Sequence, residues 1–292
     1  MKTLVIGGTG TVGSHIVRLL LEKKVQVRVL TTSLEKATEL PDGAEAFVGN
    51  LEDPASLDGL FTGVSTVFML NGTSQTEVTQ GLNAVKAARE AGVQKFVYQS
   101  IHNVCTSPEI PHFKAKILIE EAVMKSGMRY VFICPNNFYQ NDFWFAEVIS
   151  NYRLYPQPIG GIGLSRVDVR DVAEAAVNAL TSDLFNGLSV PVVGPQSLTG
   201  KETARIYTQE LGVGVHYAGD DLEAWSEEAK KTLPDWVVED WKLMYSFFQQ
   251  NGLAASAEDL KATELALGRR PRSFEEFVRD YRARFVQVPA LA

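Results

Sequence analysis

Apolar and polar positions follow two periods along the first half of the chain, and the period switches at glycine, proline or asparagine. Apolar runs of strand length fall at residues 2–6, 26–30, 44–48, 67–70, 95–99 and 130–133. Between them lie longer segments with apolar residues at helical spacing, at 12–23, 79–91 and 112–126. Segment 79–91 carries Ala84, Ala87 and Ala88, a small-residue packing face, and Gly92 stops it; Gly127 stops segment 112–126. Strands alternating with helices through short connections predict a parallel sheet covered on both faces. Ligands of such sheets bind in a crevice at the carboxyl ends of the strands.

After Pro135 the pattern changes. Aromatic residues crowd together, and Pro156, Pro158 and Gly160-Gly161-Ile162-Gly163 mark a loop. A helix at 172–181 and a strand at 189–193 return to the sheet, and helices follow at 202–211, 222–232, 236–251 and 274–285. Trp225, Trp236, Trp241, Phe247 and Phe248 read as packing between these helices.

The stretch Gly7-Gly8-Thr9-Gly10-Thr11-Val12-Gly13 joins the first strand to the first helix. Glycines at 7, 10 and 13 permit a sharp turn, a close approach to a pyrophosphate and tight packing of helix on strand. The helix start then offers unpaired N–H groups and a partial positive charge to phosphates. The expected fold is therefore α/β, a doubly wound parallel sheet of Rossmann type with a smaller, mainly helical C-terminal lobe. Residues 1–155 are expected to form the dinucleotide-binding domain and 156–292 the smaller substrate lobe.

Composition adds exclusions. The 292 residues carry a net charge of −7, which leaves no basic footprint for nucleic acid or an anionic membrane. Two cysteines, Cys105 and Cys134, make neither a disulfide framework nor a metal site, and the four histidines show no ligand spacing, so no metal is expected. No apolar run reaches spanning length, and the N-terminus lacks the pattern of a signal peptide. The expected compartment is the cytoplasm.

Further motifs occur in a fixed order: Gly49-Asn50-Leu51-Glu52-Asp53, Phe96-Val97-Tyr98-Gln99-Ser100, His112-Phe113-Lys114-Ala115-Lys116 with Glu120, Asp168-Val169-Arg170-Asp171-Val172-Ala173, and Gly268-Arg269-Arg270-Pro271. Together with the glycine turn they resemble the NmrA-like family of atypical short-chain dehydrogenases over nearly the whole chain. Asn50 stands where that pattern has aspartate, and Cys134 where it has arginine before Pro135. The resemblance implies a nicotinamide-binding fold. It leaves open a reductase of quinones or dyes, or a redox sensor that binds the cofactor without turnover.

The cofactor is expected to touch Gly7, Thr9, Gly10, Thr11, Val12, Gly13, Asn50, Leu51, Leu70, Asn71, Gly72, Lys116, Pro135 and Asn137. Its type is read at the end of the second strand. No acidic residue stands there to bind a ribose 2′-hydroxyl; Thr31, Thr32, Ser33 and Lys36 offer hydroxyls and one charge to a 2′-phosphate. NADP(H) is expected over NAD(H). Ser33 equally suits a helix cap.

In ordinary short-chain dehydrogenases a Tyr-x-x-x-Lys pair donates the proton and holds the nicotinamide ribose. Here His112 occupies the tyrosine position, four residues before Lys116, so both share one helix face. Imidazole can relay a proton near neutral pH, or His112 can simply end the helix in solvent. Ser100 follows the fifth strand where the substrate-orienting serine of that class stands. Lys116, His112 and Ser100 are the candidate catalytic residues; His102, Phe138, Tyr139 and Phe143 are the candidate substrate contacts. The expected substrate is a small aromatic or conjugated molecule that accepts hydride: a quinone, an azo or triphenylmethane dye, an imine or an activated alkene. A homodimer or a regulatory protein partner stays open. A sugar-nucleotide epimerase fits less well, since such enzymes keep the tyrosine.

Overall fold

A computed structural model describes residues 2–286. In chain order the elements begin β1 (Lys2–Ile6), α1 (Gly13–Glu22), β2 (Gln26–Thr31), α2 (Leu34–Thr38), β3 (Ala44–Val48), β4 (Thr66–Met69), α3 (Glu77–Glu90), β5 (Lys95–Gln99), α4 (Pro111–Lys125) and β6 (Arg129–Pro135). They continue with β7 (Leu154–Tyr155), α5 (Val169–Thr181), β8 (Leu188–Val192), α6 (Gly200–Leu211), β9 (His216–Tyr217), α7 (Leu222–Ala229), α8 (Asp235–Asn251), α9 (Ala257–Leu267), α10 (Phe274–Asp280) and α11 (Arg282–Phe285). Two differences from the sequence pattern have physical causes. The expected helix 274–285 divides at Tyr281, whose φ of −109° leaves the helical range. Helix α9 was not anticipated, because Thr263 is buried while Leu265 is exposed, so no apolar stripe marks it.

The chain divides into two compact units. Of the described residues, the first holds 2–135, 169–192 and 265–268; the second holds 136–168, 193–264 and 269–286. In the first unit seven strands form one parallel sheet in the order β3-β2-β1-β4-β5-β6-β8. The order reverses between β1 and β4, the position at which doubly wound sheets open their crevice. Leu4, Ile6, Val67, Met69, Phe96 and Tyr98 face one way and pack with Ala84, Ala88, Ile119 and Val123 of α3 and α4. Alternation sends Val5, Val29, Phe68 and Val97 to the other face, where α1 and α5 lie together. Two buried cations fasten the margins of this sheet. Arg28 donates to the carbonyls of Gly59, Leu60 and Thr62 and pairs with Glu45. Lys95 donates to the carbonyls of Ala179 and Ser182, which caps the C-terminal end of α5.

The second unit has its own core, built largely of rings: Tyr139, Tyr155, Tyr207, Tyr245, Phe248, Phe274, Phe277 and Phe285. Within it Arg166 and Asp142, both fully buried, pair at 2.5 Å. Tyr207 Oη donates to Asp142 at 2.9 Å, Gln157 donates to the same carboxylate, and Arg166 Nη1 donates to Tyr155 Oη at 3.0 Å. Helix α6 opens on a capping box in which Thr199 and Glu202 satisfy each other's backbone N–H groups.

Candidate functional site

The glycine turn leaves β1 at the switch point. Gly7 has φ +83°, a region side chains avoid, and a Cβ there would strike the Leu70 carbonyl. A Cβ on Gly13 would meet Gly7 C and Gly8 Cα at 2.7 Å, so only glycine lets α1 start this close to β1. Gly10 N donates to Gly7 O at 3.1 Å, which closes the turn. Thr9, Gly10 and Thr11 are exposed at its tip, whereas Val12 and Gly13 are buried. No side chain caps α1, and its first turn holds no acidic residue. A helix start left open in this way, on a cradle that a single Cβ would fill, fits a dinucleotide pyrophosphate.

At the end of β2, Thr31 Oγ1 bonds within the turn to Ser33, and Ser33 Oγ accepts from Lys36 N as the cap of α2. Thr32 and Lys36 are exposed. After β3, Asn50 is exposed and its Oδ1 accepts from Glu52 N; Leu51 is buried in the core. Leu70 N bonds Ile6 O at 3.1 Å at the switch point, Gly72 is exposed, and Asn71 is buried. Asn71 Nδ2 donates to Glu77 O at 2.9 Å, which ties the end of β4 to the start of α3, and its Oδ1 is buried with no hydrogen-bond partner.

Lys116 is 6% exposed on α4. Its Nζ lies 2.7 Å from Oε1 of Glu77, donates to the Asn71 carbonyl at 3.3 Å, and stands 5.3 Å from the centre of the Tyr98 ring. Glu77 is 1% exposed. The Glu77 contact is a charge pair rather than a directed hydrogen bond, since neither carboxylate oxygen has a hydrogen-bond partner. Burial holds the Tyr98 phenol well above its usual range, and the charges of Glu77 and Glu120 push the same way, so this hydroxyl stays neutral. Burial also pushes the Glu120 carboxyl up, opposed by the Ser100 hydroxyl and the Lys116 ammonium. Ser100 is 2% exposed, with its backbone N–H on Ile133 O. His102, also buried, donates its backbone N–H to Pro135 O. His112 is half-buried in the first turn of α4, edge-on to Phe113 with ring centres 4.8 Å apart.

The remaining candidates belong to the second unit, apart from Pro135, which is buried and ends β6. Asn137 is half-buried; its Oδ1 accepts from Arg166 Nε at 3.1 Å. Phe138 is half-buried and its carbonyl accepts from Arg166 Nη2. Tyr139 is wholly enclosed against Phe274 and Phe277, and Phe143 packs on Phe277, Tyr281 and Phe285. Cys134 is buried, and burial holds its thiol far above the usual range. Among the described residues no cluster of histidine, cysteine and carboxylate side chains is arranged for a metal. Likewise, no helix is long and apolar enough to cross a membrane.

The sequence reading assigned no role to Glu77, Tyr98 or Glu120. Tyr98 had a legible signal, since alternation along β5 puts it on the same side as Ser100. Glu120 had another, one helical turn beyond Lys116. Glu77 had none, because it stands before the apolar repeat of its helix begins.

Parallel sheet, switch-point glycine turn and uncapped helix together define a protein with a Rossmann-type NAD(P)-binding fold. Comparison with known proteins makes the assignment narrower. Residues 1–278 match the model of the NmrA-like family, and the chain belongs to that family. It is 32% identical to an NAD(P)H azoreductase of Xenophilus azovorans over 290 residues, 97% of this chain and 98% of that protein. The structure of NADPH-dependent quinone oxidoreductase QOR2 from Escherichia coli, complexed with NADPH, superposes with a TM-score of 0.86 at 20% identity, covering 95% of this chain and 99% of that one. The negative transcriptional regulator NmrA, complexed with NAD, gives 0.78 at 18% identity over 96% and 94%.

Proposed function

We propose that this chain is an NAD(P)H-dependent reductase of small electron-poor molecules, with azo and quinone acceptors as the leading class and NADP(H) as the preferred cofactor. The observation that carries the reading is Lys116, a buried ammonium at the Asn71 carbonyl where β4 ends at the switch point. The bound reduced nicotinamide supplies hydride. The glycine turn and the open start of α1 hold the pyrophosphate, and Lys116 and Asn71 hold the nicotinamide ribose. Thr32 and Lys36, exposed at the end of β2 where no carboxylate directly follows the strand, receive a 2′-phosphate. Ser100, with Glu120 beside it, hands a proton to the reduced acceptor, and His112 is the alternative donor. Full-length similarity to an NAD(P)H azoreductase supports the reductase reading.

A second reading is favoured by one residue, the histidine in the tyrosine position. The chain would then be a nucleotide sensor, and the fold it shares with a transcriptional regulator is compatible with this. A sensor needs bound cofactor to prefer one state by several kcal/mol. Following NADPH absorbance with a panel of azo dyes, quinones and triphenylmethane dyes separates the two. Oxidation that depends on the acceptor supports the reductase; tight binding without oxidation across the panel supports the sensor. In the same assay, activity that survives His112→Ala and collapses in Ser100→Ala removes His112 from the proton path.

A further inference from the structure

We infer that Glu77 is a positioning residue for cofactor binding, acting through Lys116; the inference rests on the reading that Lys116 holds the nicotinamide ribose. The pair is almost sealed from water, with side-chain exposures of 8% for Lys116 and 1% for Glu77. A lone ammonium is not stable in such a place, and a four-carbon stem gives lysine an easy route back to solvent. Three groups keep it in: the Glu77 carboxylate from α3, the Asn71 carbonyl from the end of β4, and the Tyr98 ring from β5. Only the first supplies full opposite charge at contact distance. Glu120, on the helix of Lys116, adds a weaker negative field, since burial pushes its carboxyl toward the neutral form.

The same glutamate is fixed by its own element. It is the first residue of α3, where the helix dipole favours an anion, and its carbonyl accepts from Asn71 Nδ2. Asn71 therefore contacts both members of the pair. The Asn71 carbonyl occupies one of the three Lys116 donors and Glu77 holds the ammonium by charge, which leaves a donor for a ribose hydroxyl. Neutralising Glu77 removes the reason for the ammonium to stay, and the cofactor loses that contact.

The test is a double-mutant cycle read by NADPH titration of the full chain, followed by calorimetry rather than turnover. Glu77→Gln weakens binding about tenfold or more, the loss expected for a hydrogen bond to a charged group. Glu77→Asp, which keeps the carboxylate, recovers most of it. In a Lys116→Met background Glu77→Gln has no further effect; that double variant removes both charges together and serves as the folded reference. Wild-type or tighter binding by Glu77→Gln overturns the inference, as does an equal loss in the Lys116→Met background. Unchanged affinity in Lys116→Met alone overturns the prior reading of Lys116 and this inference with it. Loss in Lys116→Met without loss in Glu77→Gln overturns the inference alone.

Discussion

Gly10 and Gly13 belong to the same turn, yet the structure separates their roles, and alanine at each tests the separation. At Gly13 a Cβ would come within 2.7 Å of Gly7 C and Gly8 Cα. Both are backbone atoms of a turn held between β1 and α1, so relief requires the helix to move off the strand. Overpacking of this kind costs about 1–3 kcal/mol. In a chain of this size each kcal/mol lowers the melting temperature by about 2–4 °C, so Gly13→Ala should melt roughly 2–12 °C below the wild type. At Gly10 the nearest atom to an added Cβ is Gly7 O at 3.3 Å, and no positive φ is involved. That contact yields with a few tenths of an ångström of adjustment, and the new methyl stands at the exposed tip of the turn, where the proposed pyrophosphate would sit. Gly10→Ala should therefore melt within about 2 °C of the wild type, an ordinary surface change, and lose at least about tenfold in NADPH affinity, or 1.4 kcal/mol. Thermal unfolding by circular dichroism and calorimetric titration with NADPH read the two effects separately. A Gly10→Ala protein that binds NADPH as tightly as the wild type would place the pyrophosphate elsewhere and refute the reasoning.

Three further outcomes follow from the buried groups. Burial raises the Glu120 carboxyl above the usual carboxylate range, so native stability falls as pH rises from the unfolded chain's ordinary carboxylate range through the folded one. Glu120→Gln escapes this loss; its stability relative to wild type should climb as pH rises above the ordinary carboxylate range and level once Glu120 ionises in the fold, and a flat difference in urea melts would rule the effect out. Asp142→Asn keeps the shape of the side chain but strips the counter-charge from fully buried Arg166; it should cost about 3–5 kcal/mol, against about 1.5–3 kcal/mol for Tyr207→Phe, which removes one hydrogen bond to the same carboxylate. Denaturant midpoints compare them, and equal losses would show that the ion pair does not dominate. A thiol reagent should modify exposed Cys105 in the native protein and reach buried Cys134 only after unfolding; fast reaction of both would contradict the packing of β6.

The sheet was legible because its inner strands β1, β4, β5 and β6 are buried on both faces and so appear as nearly continuous apolar runs. The glycine turn was legible because its backbone admits nothing larger. Lys116 stood out by its spacing from His112, yet the group that pairs with it did not. Glu77 and Lys116 meet only because α3 and α4 lie side by side, and a lone glutamate at a helix start usually reads as a solvated dipole partner. Arg166 and Asp142 escaped notice for a similar reason. Charged residues are seldom fully enclosed, and nothing local marks the few that are. Tyr139 and Phe143 show the converse. Both were singled out as substrate contacts because aromatics crowd that segment, and in the structure both pack against the rings of α10.

The geometry around Lys116 bears on which acceptors suit the proposed reductase. Ketone reduction builds an alkoxide, a strong base that needs an acid at contact distance, the task of the tyrosine in ordinary short-chain dehydrogenases. Here that position is His112, half-buried in the first turn of α4 against Phe113. The phenol of Tyr98, which does lie beside Lys116, is enclosed and held protonated by burial and by two carboxylates. Neither arrangement reproduces a phenol activated by lysine. A quinone, by contrast, spreads the incoming charge over a conjugated ring and carries it on a phenolate-type oxygen. The anion formed is a weaker base, which a serine hydroxyl backed by a carboxyl of raised pKa can protonate. In the proposed reading Ser100 and Glu120 are that pair. The loss of the tyrosine therefore favours acceptors whose reduced form is already stabilised and does not, by itself, argue for a protein without turnover.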